Sequence, residues 1–344
     1  MSKSPSNNFD FLRFLFAILV VVSHSYALAG VGESEQWLSK ITHHQMNWAS
    51  IGLNGFFVIS GYFIFQSLER SHSLYDYFKK RFLRVFPGLL VVLIITVGLL
   101  PLLHRNGSSI FNQVDFYTYL PQNLSLYGFQ STVTGVFDKN HYHAINGSLW
   151  TIRYEFSLYI ALGILFFVRE YKNIVCLLLW VTFLLMYLFF VFGMDRFGYA
   201  KVLTLQGYEF FNLGTFFAAG SALASIKFEK LTSLPLLLVS FGILLVAISF
   251  GYFNLVKHMF FPVVVLSIGF MALPFFSTFG KYGDLSYGIY IYSFLVQQII
   301  MQFFHTQVYH LMVLSILISI GFGFCSWHLI EKKALRFKKK GRNF

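Results

Sequence analysis

An all-α integral membrane protein is the fold class this sequence predicts, and three observations predict it. Of 344 residues, 56% are hydrophobic and only 12% are charged, about half the charged share of a soluble domain. Mean hydropathy is +0.64. Apolar stretches recur along the chain at close to the roughly 20 residues that carry a helix across a bilayer. This composition disfavours a water-soluble globule, a disordered chain and a nucleic-acid-binding domain. About ten crossings consume about 200 residues, so residues 1–344 read as a single transmembrane domain with no separate soluble module.

Apolar runs bounded by charge, Gly and Pro place the spans near 11–29, 51–68, 86–103, 147–168, 173–193, 208–226, 234–253, 259–277, 286–304 and 308–330. An even count puts both termini on one side. With the termini cytoplasmic, the inner segments hold Lys3, Arg70, Lys79, Lys80, Arg81, Arg84, Arg169, Lys172, Lys227, Lys230, Lys281 and the basic tail from Lys332 to Arg342. The outer segments hold only Lys40, Arg105, Lys139, Arg196, Lys201 and Lys257. That asymmetry predicts cytoplasmic termini and accounts for a net charge of +12 without nucleic acid. An alternative reading makes the first span a cleavable signal peptide ending near Ala27-Leu28-Ala29; Asp10 and Arg13 just before the apolar core speak against it. Cys176 and Cys325 fall inside apolar stretches and read as small core residues.

The longest polar stretch, 104–146, mixes Asn, Gln, Ser, Tyr and His with few charges. Such side chains suit an uncharged polar acceptor such as a sugar, and equally any ordered outer loop. No ligand set at metal spacing is present.

An ionisable group at membrane depth costs about 2.5–3.5 kcal/mol, so each one needs a partner, a wet cavity or a function. Arg13 and His24 are eleven residues apart, three helical turns, and share one face of the first span. Arg13 reads as a snorkelling anchor or as part of an anion site, and His24 as a carbonyl-bonded core residue or as a base. On the fourth span Ser148, Thr151 and Glu155 form one polar stripe. Helical rise from the outer boundary puts Glu155 near the depth of His24, where a carboxylate would orient the imidazole as a general base. Arg153 points elsewhere, its partner unknown. Before the third span, Lys80, Arg81 and Arg84 stack like charges on one helical face and repel unless an anion sits among them. Topology alone also predicts basic residues there; Arg13, at the same depth, favours a polyanion entering from the cytoplasm.

Five segments in order resemble the acyltransferase-3 family of bacterial membrane acyltransferases: Phe9-Asp10-Phe11-Leu12-Arg13 with His24; Gly55 to Tyr62 (GFFVISGY); Arg81 to Pro87 (RFLRVFP); Gly147 to Glu155 (GSLWTIRYE); and Gly283 to Tyr292 (GDLSYGIYIY). The resemblance implies a stand-alone O-acetyltransferase of the bacterial inner membrane. It would take acetyl from cytoplasmic acetyl-CoA and deliver it to a hydroxyl of a lipid-linked or polymeric glycan, such as the O-antigen of lipopolysaccharide, at the outer face. It implies His24 and Glu155 as catalytic residues and Arg13, Arg81 and Arg84 on the CoA side, with Lys80 beside them. Ser148, Trp150, Thr151 and Arg153 are the candidates for contact with substrate. Many relatives carry a histidine soon after the late Tyr-rich motif, where this chain reads Ser293-Phe294. The rival reading is a transporter or flippase of a glycan, because intramembrane charges also line solute pathways.

Overall fold

The computed structural model describes residues 7–271, 273 and 276–337. Lys3 and the tail residues Lys338, Lys339, Lys340 and Arg342, all used in the charge count, lie outside the described residues, as does part of the 259–277 segment. Each expected segment contains a helix: α1 (Phe9–Leu28), α2 (Trp48–Glu69), α3 (Leu74–Leu103), α4 (Ile152–Gly163), α5 (Lys172–Phe192), α6 (Gly207–Ser225), α7 (Leu234–Ser249), α8 (Phe253–Phe270), α9 (Ser286–Phe304) and α10 (Val308–Ser326). Among the described residues, seven helices are long and apolar enough to cross a membrane, fewer than the ten expected. α6 and α9 are not among the seven, and α7 is apolar but short, at 16 residues.

The reason lies in what each helix faces. α5 exposes Leu177, Leu178, Val181, Leu184, Leu185 and Leu188 to the surroundings, an outer face that suits lipid and not water. α6 and α9 form the centre. Every residue from Asn212 to Ala224 is buried, and α9 buries Ser286, Ser293, Gln297 and Gln298. A central helix contacts protein rather than lipid, so it tolerates amides and hydroxyls that find internal partners. Gln297, for example, donates to the Val21 carbonyl at 2.9 Å and to Ser25 Oγ at 2.8 Å on α1. Small residues set the spacing between α2 and α6: a Cβ at Gly61 would sit 2.0 Å from the Phe217 carbonyl oxygen, and one at Gly220 would sit 2.2 Å from that of Val58. Close approach of this kind is how membrane helices gain packing energy.

Local signals fix the helix ends. Asn47 and Ser50 form a reciprocal capping box at the start of α2. Ser73 caps α3 by accepting from the Asp76 N–H at 3.0 Å, so α3 starts twelve residues before the expected span and takes the whole basic cluster into a 30-residue helix. The cysteines depart from expectation: Cys176 is half-buried, and Cys325 is exposed on the apolar outer surface.

The fourth segment departs most. It opens as a 3₁₀ turn, Gly147–Thr151, continues as α4 and closes as a second 3₁₀ turn, Ile164–Val168. Its start is not at the edge of the bundle. Asn146 Nδ2 donates to the Ile291 carbonyl at 2.7 Å, and Ile291 lies only five residues into α9, about 8 Å along its axis. The preceding loop therefore sinks into the protein, and everything on α4 is deeper than a count from the outer boundary suggests.

Candidate active site

Two cavities open along the bundle, one holding Arg13 and the other His24. The arginine cavity, about 420 Å³, is lined by Arg13, Arg81, Arg84, Ser60, Thr151, Glu155, Tyr159, Asp284, Tyr287 and Tyr290, among others. The like-charge stack expected in its wall is relieved by carboxylates from elsewhere in the chain. Arg84 pairs with Asp284 at 2.6 Å and with Glu331 at 3.3 Å, and its guanidinium lies over the Tyr287 ring at 5.6 Å. Glu331 is 2% exposed; it reaches the site from a π-helical turn, Trp327–Glu331, that continues α10, and it accepts from Ser326 Oγ at 2.8 Å. Burial pushes the Asp284 carboxyl up, but Arg84 and Arg13 outweigh it and hold the group below the usual carboxylate range. Arg13 pairs with Asp10 at 3.3 Å.

Arg81 differs from both. It is 9% exposed, and no carboxylate pairs with it among the described residues. One Nη donates to Ser67 Oγ at 3.1 Å, Nε is buried without a partner, and the guanidinium lies near the Tyr77 and Tyr159 rings at 6.0 and 5.8 Å. A buried guanidinium without a carboxylate is the strongest anion seat in this wall. Lys80, expected beside it, does not line the cavity; it pairs with Asp76 at 2.6 Å and donates to Ser71 Oγ at 3.1 Å.

Glu155 belongs to this cavity, and the expected meeting with His24 does not occur. Its carboxylate accepts from Ser60 Oγ at 2.8 Å and from the Tyr159 hydroxyl. His24 packs edge-on against Phe294 at 5.1 Å, and that same ring would lie 2.6 Å from a Cβ at Gly147. From Gly147 the chain runs eight residues onward to Glu155, about 14 Å by helical rise. The sunken start of the fourth segment carries Glu155 past His24 to the arginine side. Arg153 also finds its place: it donates to Thr204 Oγ1 at 3.4 Å and lies over the Phe129 and Tyr154 rings, away from both cavities.

The histidine cavity, about 770 Å³, is lined by His24, Glu33, Asn47, Asn54, Tyr142, Trp150, Glu209, Asn212, Lys257 and Phe294, with further hydroxyls and amides. A third cavity of about 470 Å³ shares Tyr142, Gly147 and Trp150 with it and extends it along the 129–144 loop. No hydrogen bond from the described residues reaches the His24 ring, and its Nδ1 is buried without a partner. Beside it, Ser23 Oγ donates to Glu33 at 3.2 Å, Asn47 Nδ2 donates to the other Glu33 oxygen at 2.9 Å, and Gln36 Nε2 donates to Ser23 Oγ at 2.7 Å. Burial raises the Glu33 carboxyl, and the Ser23 hydrogen bond offsets part of that rise. On the opposite wall Lys257, counted from sequence as an outer-loop residue, is inside α8 and 6% exposed.

Of the polar stripe, Thr151 and Glu155 face the arginine cavity and Ser148 is fully buried with an Oγ unpartnered among the described residues, while the neighbouring Trp150 faces the histidine cavity. Thr151 Oγ1 and the Tyr290 hydroxyl are 2.5 Å apart. Sequence reasoning missed Glu33, Glu331 and Lys257, which carry no signal but their type, since their depth depends on how the loops and helix ends fold. Asp284 stands within the Gly283–Tyr292 motif, and the surplus of arginines at Arg13, Arg81 and Arg84 is the signal that calls for a carboxylate there.

The chemistry on offer is an anion seat at one end and an unpaired imidazole amid hydroxyls, amides and aromatic rings at the other. Comparison with known proteins gives the family. Residues 6–329 match the family model described as "Acyltransferase domain". The chain is 30% identical over 340 residues, 96% of each chain, to the "O-acetyl transferase" of Shigella phage Sf6. It is 29% identical over 168 residues to "Nodulation protein 10" of Rhizobium leguminosarum bv. viciae, covering 48% of this chain and 45% of that one. No solved structure matches. The chain is a multi-pass membrane protein and belongs to the acyltransferase-3 family.

Proposed function

We propose that this protein is an O-acetyltransferase that takes acetyl from acetyl-CoA in the arginine cavity and delivers it to a glycan hydroxyl in the histidine cavity. The observation that supports this reading is a pair of cavities on one set of helices, one lined by a buried guanidinium without a carboxylate and the other by an imidazole without a hydrogen-bond partner among the described residues. The name of the phage relative supports O-acetyl transfer. Arg81, with Arg13, suits the phosphates of a nucleotide thioester, because planar guanidinium forks match phosphate oxygens. The amides, hydroxyls and aromatic rings around His24 suit a sugar. The basic residues Arg13, Lys79, Lys80, Arg81 and Arg84 lie toward the arginine end, which supports a cytoplasmic donor side; the acceptor is then at the outer face of the bacterial inner membrane in this reading.

In the proposed reaction the acceptor hydroxyl attacks the thioester carbonyl, a C–O bond forms and the C–S bond breaks. His24 takes the hydroxyl proton and passes it to the departing thiolate, leaving CoA as the thiol. A positioned base of this kind supplies about 10²–10⁴ in rate. Glu155 has no part in orienting His24; with Ser60 and Tyr159 it shapes the donor cavity next to Arg81. The unpaired His24 ring is consistent with a base whose hydrogen-bond partner is the acceptor itself.

The test is acetyl transfer from labelled acetyl-CoA to isolated lipid-linked or polymeric glycan by the purified protein in lipid nanodiscs. Expected are acetyl-CoA consumption that requires acceptor and a new acetyl resonance on the glycan, both lost in His24→Ala. A transporter would move or bind glycan with no dependence on acetyl-CoA, and that result would overturn the proposal.

A further inference from the structure

The two cavities are separate volumes, and among the described residues one side chain lines both: Leu53. Four elements cross the boundary between them: α1, which passes from Arg13 in the arginine cavity to His24 in the histidine cavity, and three that change sides within one helical turn. On α2, Asn54 and Ser50 face the histidine cavity, while Phe56, Phe57 and Ser60 face the arginine cavity. On the 3₁₀ turn, the boundary falls between the consecutive residues Trp150 and Thr151. On α9 it falls between Phe294 and Tyr290, one helical turn apart.

Two of these three walls are pinned. Thr151 and Tyr290 are hydrogen-bonded to each other, and Gly147 admits no Cβ beside Phe294. The α2 backbone is pinned as well: a Cβ at Gly52 would lie 2.6 Å from the Phe16 carbonyl oxygen, and one at Gly55 would lie 2.2 Å from the Phe16 ring. What the boundary itself presents to both cavities is the Leu53 side chain, which is apolar, half-buried and packed at its base against the core.

We propose that Leu53 is the partition between donor and acceptor cavities and sets the length of acyl group that passes. The inference rests on the reading of the two cavities given above. The acyl group enters from the arginine side as a thioester and must present its carbonyl to an oxygen on the His24 side, so its alkyl end lies at the boundary that Leu53 fills. A two-carbon group fits beside Leu53, and each further methylene meets it. Leu53→Ala removes three carbons and makes room for about that many in the acyl chain.

The test compares acetyl-CoA, propionyl-CoA and butyryl-CoA as donors for wild type, Leu53→Ala and Leu53→Phe, with glycan acceptor. One methylene in an apolar pocket is worth about 10–200-fold in discrimination. Expected is a butyryl-to-acetyl ratio of kcat/KM at least about ten-fold higher in Leu53→Ala. Leu53→Phe is expected to lower kcat for acetyl-CoA while KM stays within about two-fold, because the nucleotide seat is remote from the partition. A purely structural role for Leu53 would lower all three donors together. Ratios within two-fold of wild type in both variants overturn the proposal.

A second measurement needs no turnover: binding of the unreactive thioethers S-ethyl-CoA and S-butyl-CoA by calorimetry. Wild type is expected to prefer the ethyl compound and Leu53→Ala to lose that preference; an unchanged preference counts against the partition. Should wild type transfer no acetyl group at all, the functional reading fails, and the thioether series still decides the role of Leu53. Leu53→Val, one carbon smaller, gives an intermediate shift and serves if the alanine variant does not fold.

Discussion

The arginine cavity and the histidine cavity share helices α1, α2 and α9, yet they treat charge in opposite ways. In the first, Arg84 is clamped by Asp284 and Glu331, Arg13 is paired with Asp10, and only Arg81 keeps an unpaired guanidinium. In the second, Glu33 is held by neutral donors, and the His24 ring has no hydrogen-bond partner among the described residues. Paired charges build a stiff frame around one free cation, which suits the holding of a polyanion. Neutral donors around a free imidazole suit a hydroxyl whose proton must move. The difference teaches that residue type alone does not assign a role: of the three arginines that line one cavity, two are paired with carboxylates and one is not.

The largest expected effect separates the two cavities kinetically. His24→Ala should lower kcat by about 10²–10⁴ and leave KM for acetyl-CoA nearly unchanged. A large rise in that KM, measured by initial rates, would place His24 on the donor side and break the comparison. Next comes the division among the arginines. Arg81→Ala should raise KM for acetyl-CoA by about 10–100-fold, the loss of a charge-assisted hydrogen bond or two, with a melting temperature near wild type.

Arg84→Ala should do the reverse in part. It leaves Asp284 and Glu331 without their cation, and losing one partner of a buried pair costs up to about 3–5 kcal/mol, discounted here because Arg84 and Asp284 retain 23% and 15% side-chain exposure. A clear fall in melting temperature in nanodiscs, partly restored by Arg84→Ala with Asp284→Asn, checks this. Equal melting temperatures for the Arg81 and Arg84 variants would erase the distinction drawn between them.

Acid sharpens the same point. Because the Asp284 carboxyl is held below its ordinary value, the Arg84 pair contributes stability that is fully present above the ordinary carboxylate range. That stability is lost only as pH falls through the lowered value. Melting curves of wild type and Asp284→Asn should therefore differ at neutral pH and converge in strong acid; divergence on acidification would contradict the pairing. The smallest effect is expected at Lys80, whose half-buried i,i+4 pair with Asp76 lies outside both cavities; a pair partly open to solvent in this way is worth about 0–1 kcal/mol. Lys80→Ala should leave KM for acetyl-CoA within about two-fold.

Much of this protein is legible along the chain. Lipid tolerates only helices with apolar flanks, so composition and run length put a helix in each of the ten expected segments, of which seven among the described residues are long and apolar enough to cross a membrane. The motifs around Arg13, His24, Arg81 and Glu155 marked residues that do line cavities. Periodicity also put Arg13 and His24 on one face of α1 correctly, because rise and turn within one helix are fixed by backbone geometry. What lies between helices was out of reach. The depth of Glu155 depended on Asn146 bonding to Ile291, the relief of the arginine stack on Asp284 and Glu331 arriving from far along the chain, and the burial of Lys257 on where α8 begins. Contacts such as these are long-range, and helical repeat says nothing of the offset between one helix and the next. That offset is set by side-chain packing and buried hydrogen bonds, and those exist only once the helices have met.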